Sequence, residues 1–237
     1  IVSDENKEVV IGRPQLDLLQ KPLEVNSGRK VLAYAPTWEG DQEANNYSSV
    51  DVYGEQIVSA MLKVANATVL YKPHPKVTTS PKSEMANAHK KILSLLDAAN
   101  SKDPGAKHKL VTGDPMPVLQ VADLLISDVS AVTIDYLYLK PQGAMLMCDR
   151  RSNVNDFAQV APVSKAVTVI TKDNINSIDK LISDHVSGQV DRTSYDAMRN
   201  YYFGDTKPGS SINRFIAMVD DLIKRRDKKV LELPTSK

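Results

Sequence analysis

Short apolar runs alternate along the chain with longer stretches in which apolar residues recur every three or four positions. The short runs predict buried strands, and the recurring spacing predicts amphipathic helices. Strands that alternate with helices are typical of a parallel sheet with crossover helices. The pattern therefore predicts an α/β fold with a Rossmann-like parallel sheet and flanking helices. The predicted strands are Lys30–Ala35, Ala67–Tyr71, Lys109–Val111, Leu124–Ser127, Gly143–Cys148 and Val167–Ile170.

The predicted helices occupy intervals between these strands and most of the C-terminal part of the chain. We expect residues 1–29 to form a lead-in segment, residues 30–226 to form the Rossmann-like domain, and residues 227–237 to form a charged tail. The predicted helices are Gly54–Val64, Glu84–Ala99, Met116–Val121, Val132–Leu139, Ile175–His185, Ser194–Asn200 and Ser210–Arg226.

Charge and composition narrow the classes of function. The 237 residues carry 30 Lys+Arg and 29 Asp+Glu, so the net charge is +1 and no pervasive nucleic-acid-binding surface is expected. The single cysteine, Cys148, excludes an internal disulfide framework and a cysteine-rich zinc site. No apolar run approaches the length of a membrane span. The chain begins with Ile1 rather than Met, which suggests a piece of a longer protein.

The strongest candidate for chemistry is the run Tyr71-Lys72-Pro73-His74-Pro75, which directly follows an apolar run. Proline fixes its own φ and pushes the preceding residue towards an extended conformation, so the backbone holds His74 stiffly where a strand leaves the sheet. In open α/β sheets, ligands bind outside the carboxyl ends of the strands. A lone histidine in a turn is more often structural. Because a lysine, a rigid backbone and a strand-end position coincide here, we predict that His74 contacts a ligand.

A second candidate is the run Ser127-Asp128-Val129-Ser130-Ala131, where a predicted strand ends and a predicted helix begins. Backbone N–H groups at a helix N-terminus, together with short hydroxyl side chains, can bind a phosphate. Ser and Asp are also the favoured helix caps, so ordinary capping is the better explanation of this run taken alone. The chain has no Walker lysine and no glycine-rich fingerprint, so neither a P-loop nor a dinucleotide-binding turn is predicted.

Two further runs lie next to predicted elements. Pro36-Thr37-Trp38 follows a strand and holds the only tryptophan, which is either a packing anchor or part of a ligand cleft. The loop 204–211 precedes the last helix and is best explained as its cap, although its serines could also face a ligand.

Five runs occur along the chain in one order: Gly12-Arg13-Pro14-Gln15-Leu16-Asp17, Tyr34-Ala35-Pro36-Thr37-Trp38, Tyr71-Lys72-Pro73-His74-Pro75, Leu124-Leu125-Ile126-Ser127-Asp128-Val129-Ser130-Ala131 with Asp135-Tyr136, and Lys140-Pro141. In this order they resemble the CDP-glycerol glycerophosphotransferase family, the polymerases and primases of wall teichoic acid and related capsular polymers. The resemblance covers nearly the whole chain. It implies the C-terminal, donor-binding domain of a GT-B type transferase, whose acceptor-handling N-terminal domain is missing here.

The resemblance also implies a reaction and a site. An acceptor hydroxyl would attack the β-phosphorus of CDP-glycerol or a related CDP-alditol, with a polymeric or lipid-linked acceptor and CMP as leaving group. Such a transfer needs in-line positioning and neutralisation of charge, and His74 is the residue to which the resemblance assigns a catalytic role. No cofactor is implied, and no ligand cluster demands a metal. The donor-binding residues implied are Thr37, Lys72, Pro73, His74, Ser127, Asp128, Ser130, Ala131 and Asp135.

The resemblance also implies that the full-length protein lies in the cytoplasm, at the inner face of the cell membrane, with which it associates peripherally. The general base would belong to the N-terminal domain, so we expect residues 1–237 to bind nucleotide with no more than trace transferase activity. Two positions depart from the family. Glu39 stands where an arginine usually follows Pro-Thr-Trp, and Val129 and Ala131 stand in a run that is usually Asp-Tyr-Ser-Ser. These departures bear on the identity of the donor more than on binding of a nucleotide diphosphate.

Two other classes of function stay open at this point. A GT-B glycosyltransferase or epimerase-like enzyme that uses a nucleotide sugar could share this fold and a strand-end phosphate site. A non-catalytic nucleotide-binding module is the third reading, because half of a two-domain enzyme has no acceptor site.

Overall fold

The computed structural model describes residues 9–18, 21–188 and 193–233. Six parallel strands form one sheet in the order β3-β2-β1-β4-β5-β6. This is the strand order of a doubly wound Rossmann sheet, so the predicted α/β, Rossmann-like class is confirmed. The strands are β1 (Lys30–Ala35), β2 (Ala67–Tyr71), β3 (Lys109–Leu110), β4 (Leu124–Ser127), β5 (Ala144–Cys148) and β6 (Thr168–Ile170).

Helices cover both faces of the sheet. The α-helices are α1 (Pro14–Asp17), α2 (Val50–Met61), α3 (Pro75–Thr78), α4 (Ser83–Lys102), α5 (Met116–Val121), α6 (Ala131–Leu139), α7 (Val154–Val160), α8 (Ile178–Val186), α9 (Thr193–Phe203) and α10 (Ser211–Leu231). Single turns of 3-10 helix lie at Glu43–Asn45, Pro104–Ala106, Pro162–Ala166 and Ile175–Ser177.

Two apolar cores lie on opposite faces of the sheet because successive residues of a strand point to opposite sides. In β1, Leu32 and Tyr34 pack into the core formed with α2, α4 and α8. Val31, Ala33 and Ala35 pack into the core formed with α5, α6 and α9. All five are buried, which is why the strand reads as a continuous apolar run rather than an alternating one.

Several helices differ from their predicted bounds. Helix α2 begins at Val50 rather than Gly54, and α10 continues through the first part of the predicted charged tail to Leu231. Helix α7 was not predicted, since its seven residues include three polar ones and its Val160 is half exposed, while Phe157 is buried in the core. Residues 1–8 of the predicted lead-in and 234–237 of the predicted tail lie outside the described residues. The predicted domain bounds remain a prediction.

The segment before the sheet is attached to the start of α10. The carboxylate of Asp17 accepts hydrogen bonds from the backbone N–H groups of Gly209 (2.9 Å) and Ile212 (2.8 Å), and Arg13 N donates to Ser211 Oγ (3.0 Å). Gly12 has φ +80°, and a Cβ there would lie 2.4 Å from Thr206 Cγ2. Only glycine fits this close left-handed turn, and the turn carries Arg13 towards the carboxyl edge of the sheet.

Candidate functional site

The crevice of this fold lies between the carboxyl ends of β1 and β4. These strands are neighbours, and from them the strand order runs outwards in opposite directions, which in an open α/β sheet creates a ligand-binding crevice. The loop after β1, residues 36–49, forms one wall. The turn after β4, residues 128–130, forms the other.

Ser127 and Asp128 hold the two walls together from inside the protein. Ser127 Oγ donates to the carbonyl oxygen of Ala35 (2.6 Å), and Asp128 Oδ2 accepts from the N–H groups of Thr37 (2.9 Å) and Ser49 (3.2 Å). Both Ser127 and Asp128 are fully buried. The two side chains predicted to bind the donor therefore contact backbone, and they shape the crevice through the loops that they hold.

The charge state of Asp128 is finely balanced. Burial raises the pKa of its carboxyl group to about 7, although the side chain and N–H of Ser49 and the N–H of Thr37 favour the ionised form. Its Oδ1 is buried and has no hydrogen-bond partner among the described residues. A carboxyl group with such a pKa is present in both its protonated and its ionised form near neutral pH.

His74 lies on the turn after β2, at the same edge of the sheet. Its backbone N–H donates to the carbonyl oxygen of Pro36 (3.0 Å), which ties this turn to the loop after β1. Its Nδ1 accepts from Lys76 N (3.2 Å), so the ring proton of the neutral form resides on Nε2. Burial, helped by Lys72 and Lys76, lowers the pKa of His74 below its usual 6.5. At neutral pH the ring is an uncharged Nε2–H donor.

Trp38 stacks on the histidine. The ring centroids of Trp38 and His74 are 5.9 Å apart at an interplanar angle of 24°, and Lys76 Nζ lies 3.5 Å from the Trp38 centroid. The tryptophan is partly exposed and also packs against the first core. It thus combines the two roles left open by the sequence, an anchor in the core and a wall beside His74.

Lys72 and Pro73 are both buried at this turn. Lys72 Nζ donates to the carbonyl oxygen of Pro73 (3.3 Å). Burial lowers the pKa of Lys72, and the charge of Asp114, on the loop after β3, opposes this shift. The lysine therefore lies inside the turn, where the charge of Asp114 favours its protonated form.

Asp135, on α6, pairs with Arg13 from the segment before the sheet. The side chain of Asp135 is 8% exposed and that of Arg13 is 32% exposed. Burial raises the pKa of Asp135, and Arg13 opposes the rise. The pair lines a cavity of about 260 Å³ together with Asp114, Leu16 and Met116. Sequence reasoning assigned no role to Arg13 or Asp114; the basic residue after Gly12 in the first family run was the signal that could have found Arg13.

Ser130 caps α6 at the crevice. Its Oγ accepts from Val132 N (3.3 Å), so the hydroxyl proton is free to donate to another group. Ser130 is partly exposed and Ala131, the first residue of the helix, is exposed. A helix N-terminus carries partial positive charge and attracts anions. Of the residues predicted around the second run, these two are the ones that an incoming ligand can reach.

Glu39 is turned into the protein. It is 4% exposed, Ser80 Oγ donates to its Oε1, and its Oε2 is buried without a hydrogen-bond partner in the part of the chain that the structure describes. The departure from the family's arginine therefore does not place a carboxylate on the surface of the crevice.

The described residues form neither a metal-binding cluster nor a membrane-spanning helix. Within residues 9–18, 21–188 and 193–233, no three His, Cys, Asp or Glu side chains are grouped so that they could hold a metal ion. None of the helices described is both long enough and apolar enough to span a bilayer.

Comparison with protein families decides the relationship. A sequence profile described as CDP-Glycerol:Poly(glycerophosphate) glycerophosphotransferase matches residues 3–219. The chain belongs to this family. The resemblance drawn from the five runs is thereby confirmed. No curated protein matches the chain.

Solved structures of similar fold include a putative UDP-N-acetylglucosamine 2-epimerase from Listeria monocytogenes. It matches with TM-score 0.56 and 14% identity over 91% of this chain and 54% of that chain. The α,α-trehalose 6-phosphate synthase from Burkholderia multivorans matches with TM-score 0.51 and 10% identity over 89% of this chain and 45% of that one. A variant of the wall teichoic acid polymerase TagF matches with TM-score 0.44 and 18% identity over 93% and 48%. The chain thus spans about half the length of the structures that it matches.

Proposed function

We propose that this chain is the donor-binding domain of a glycerophosphotransferase that moves glycerol phosphate from CDP-glycerol, or a related CDP-alditol, to a polymeric or lipid-linked acceptor. Family membership over residues 3–219 supports the class of reaction. The observation that supports the binding role is the crevice. There, hydrogen bonds link the turn after β2 to the loop after β1, and that loop to the turn after β4. His74 N binds Pro36 O, and Thr37 N binds Asp128, two residues before the Ser130 cap.

The diphosphate of the donor would lie between His74 and the N-terminus of α6. His74 Nε2–H and the hydroxyl of Ser130 donate hydrogen bonds to its oxygens, and the first turn of α6 adds partial positive charge. In the transfer, the acceptor hydroxyl gives its proton to a general base that we place in the N-terminal domain, and its oxygen bonds to the β-phosphorus while the bond to the CMP oxygen breaks. CMP leaves with that electron pair, and donors held in place at this oxygen stabilise its charge.

The nucleoside would occupy the cavity beside Arg13. Asp114 and Asp135 supply carboxylate oxygens that accept hydrogen bonds from ribose hydroxyls, and Leu16 and Met116 supply apolar surface for the base. Lys72, whose protonated form the charge of Asp114 favours, adds positive charge close to this cavity.

Thermal unfolding in the presence of CDP-glycerol, CDP-ribitol, CMP and UDP-sugars tests the proposal. A ligand that binds only the folded protein at 100 times its Kd stabilises it by about 2.7 kcal/mol, so the two CDP-alditols should raise the Tm by several degrees. CMP should raise it less, because it lacks the second phosphate. Selective stabilisation by UDP-sugars would favour a nucleotide-sugar enzyme, whose fold class the epimerase match shares. No shift with any nucleotide would contradict the donor-binding role.

An anion is expected at the Ser130 cap. Crystals soaked in sulfate or phosphate should show the ion within hydrogen-bond distance of Ser130 Oγ or the N–H of Ala131, since these groups are at the exposed start of α6. The control is the N-terminus of α8, which begins at Ile178 with the carboxylate of Asp179 in its first turn and should stay without an ion. An ion at both helices, or at neither, would contradict a specific phosphate site.

We further propose that α10 binds the inner face of the cell membrane by contacting anionic lipid. Only its first residue, Ser211, is buried. Six basic and three acidic residues give the helix a net charge of +3. A helix with an apolar stripe and basic flanks fits an anionic bilayer surface. Its large apolar side chains that are more than two-fifths exposed are Phe215, Ile216, Leu222, Ile223, Val230 and Leu231.

Sedimentation with vesicles tests this surface. The protein should bind phosphatidylcholine vesicles containing phosphatidylglycerol at least about ten-fold better than pure phosphatidylcholine vesicles, because both apolar burial and charge contribute. Leu222→Ser with Ile223→Ser should abolish the binding. Val52→Ser, which alters an exposed apolar residue on α2, should not. Absence of lipid binding would contradict the proposal, and concentration-dependent dimers lost in the double variant would show that a second copy covers the helix.

A further inference from the structure

One carboxyl group joins the two walls of the crevice. Asp128 Oδ2 accepts two backbone N–H groups from the opposite wall, those of Thr37 at 2.9 Å and Ser49 at 3.2 Å. Ser49 is itself fixed by Tyr34, whose hydroxyl oxygen lies 2.7 Å from Ser49 Oγ. Asp128, Ser49 and Tyr34 are all fully buried. The loop after β1 leaves the sheet and returns to α2 at these two N–H groups, so Asp128 holds both ends of it.

We propose that Asp128 is a positioning residue, whose carboxyl group sets the distance between the loop after β1, to which the His74 turn is bonded, and the wall that carries Ser130. The proposal rests on the proposed function, because it assigns to Asp128 the geometry of the donor's diphosphate site. Asp128 does not touch the donor.

The connection from Asp128 to the two ligand-facing groups is short on each side. On one wall, Thr37 precedes Trp38, whose ring stacks on His74. On the other wall, Asp128 lies two residues before Ser130, the cap of α6. Removing the carboxyl group would leave the buried N–H of Ser49 without its acceptor, and a buried N–H that lacks a partner costs free energy. The loop after β1 would then rearrange towards other acceptors, and His74 would move with it.

Because Asp128 can gain or lose a proton, the connection that it makes between the two walls responds to the charge of the ligand. The titratable groups around it are Asp51 on α2, Tyr34 on β1, Tyr71 on β2 and Cys148 on β5. Arg150 pairs with Asp51 and offsets its charge. An anionic diphosphate in the crevice disfavours a carboxylate beneath it, so binding favours the protonated form of Asp128. By linkage, affinity for the donor falls as the pH rises through the pKa of Asp128, about 7.

The test compares Asp128→Ala and Asp128→Asn with Asp123→Asn as matched control. Asp123 makes the same type of contact at the opposite end of the same two strands, where its Oδ2 accepts from Val31 N (2.8 Å). Asparagine at 128 keeps an oxygen for the two N–H groups and carries no titrating proton. CDP-glycerol is the probe, because neither of its phosphates is a monoester that titrates near neutral pH. Calorimetry gives its affinity from about pH 6.5 to about pH 8.5, and hydrogen exchange follows the N–H groups of Thr37 and Ser49.

Asp128→Ala should weaken CDP-glycerol binding at least about ten-fold and speed exchange at Thr37 and Ser49 by a similar factor. Asp128→Asn should bind within about three-fold of the wild type at the lower pH and show no loss at the higher pH, where the wild type loses several-fold. Asp123→Asn should follow the wild type. The proposal is overturned if Asp128→Ala keeps wild-type affinity and slow exchange, or if Asp128→Asn retains the wild-type pH profile.

Two outcomes need separate treatment. If Asp128→Ala does not fold, the pH profile of Asp128→Asn decides. If the wild type does not bind CDP-glycerol at any pH, the proposed function fails. Hydrogen exchange at Thr37 and Ser49 then decides whether Asp128 joins the walls. Unchanged exchange in both Asp128 variants would overturn the positioning role as well.

Discussion

His74→Ala is expected to weaken binding of CDP by about 10- to 100-fold while the Tm stays within a degree or two, about the loss of one hydrogen bond to a charged group. The reason is the position of the ring. Its Nδ1 is engaged by Lys76 N, its face stacks on Trp38, and its Nε2–H is left as a donor at the carboxyl edge of the sheet. Because the ring is partly exposed, its removal opens no cavity in a core. Calorimetry with CDP and thermal unfolding measure the two quantities separately.

His89→Ala is the matched control for this prediction. His89 lies on α4, and its Nδ1 is 3.2 Å from the hydroxyl of the buried Tyr71 in a partly buried contact. This substitution should lower the Tm and leave CDP affinity unchanged, the opposite pattern. Equal CDP affinity of the wild type and His74→Ala would remove the ligand role of His74, and so would an unfolded His74→Ala variant.

Arg13→Ala is expected to lower the free energy of unfolding by about 1–3 kcal/mol, because it leaves the carboxylate of Asp135 buried without its ion-pair partner. The loss should be greatest at neutral pH. Burial already raises the pKa of Asp135 while Arg13 opposes the rise, so without Arg13 the folded state binds a proton more readily than the unfolded state. The stability of the variant therefore falls as the pH rises from the acid range. Chemical denaturation at several pH values measures it.

A double variant separates the charge from the packing of Arg13. Arg13→Ala with Asp135→Asn should recover most of the loss, since the neutral amide needs no cation. The comparison is Arg29→Ala, which breaks a pair with Asp103, whose side chain is 52% exposed. That change should cost less than about 1 kcal/mol. A loss for Arg13→Ala as small as that for Arg29→Ala would show that the Arg13–Asp135 pair does not stabilise the start of the chain.

The six strands could be predicted to within one residue at each end. Parallel strands buried on both faces are continuous apolar runs, and such runs are visible in the sequence whatever the strands pair with. The position of His74 was visible for a similar local reason, because Pro73 and Pro75 restrict the backbone without help from the rest of the chain. The helices were harder. The start of α2 depends on Ser49, whose N–H is held by Asp128 from a different strand.

The candidate site was only partly visible in the sequence. Ser130 was recognised as the start of a helix because capping depends on neighbouring residues. Ser127 and Asp128 were assigned to the donor, although the structure turns both inward against the loop after β1. Their direction depends on β1 lying beside β4, a pairing between strands separated by four α-helices and two other strands.

The sequence by itself determined the class of fold, the family, and the two turns that carry His74 and Ser130, because each follows from apolar periodicity, proline geometry or the order of short runs. The tertiary structure decided which groups meet. Arg13 reaches Asp135 across 122 positions, and Asp128 binds the N–H of Thr37, 91 positions earlier. Such contacts depend on strand order and on the path of the segment before the sheet. Neither is set by the residues next to the contact, since the same side chains in another strand order would face other partners.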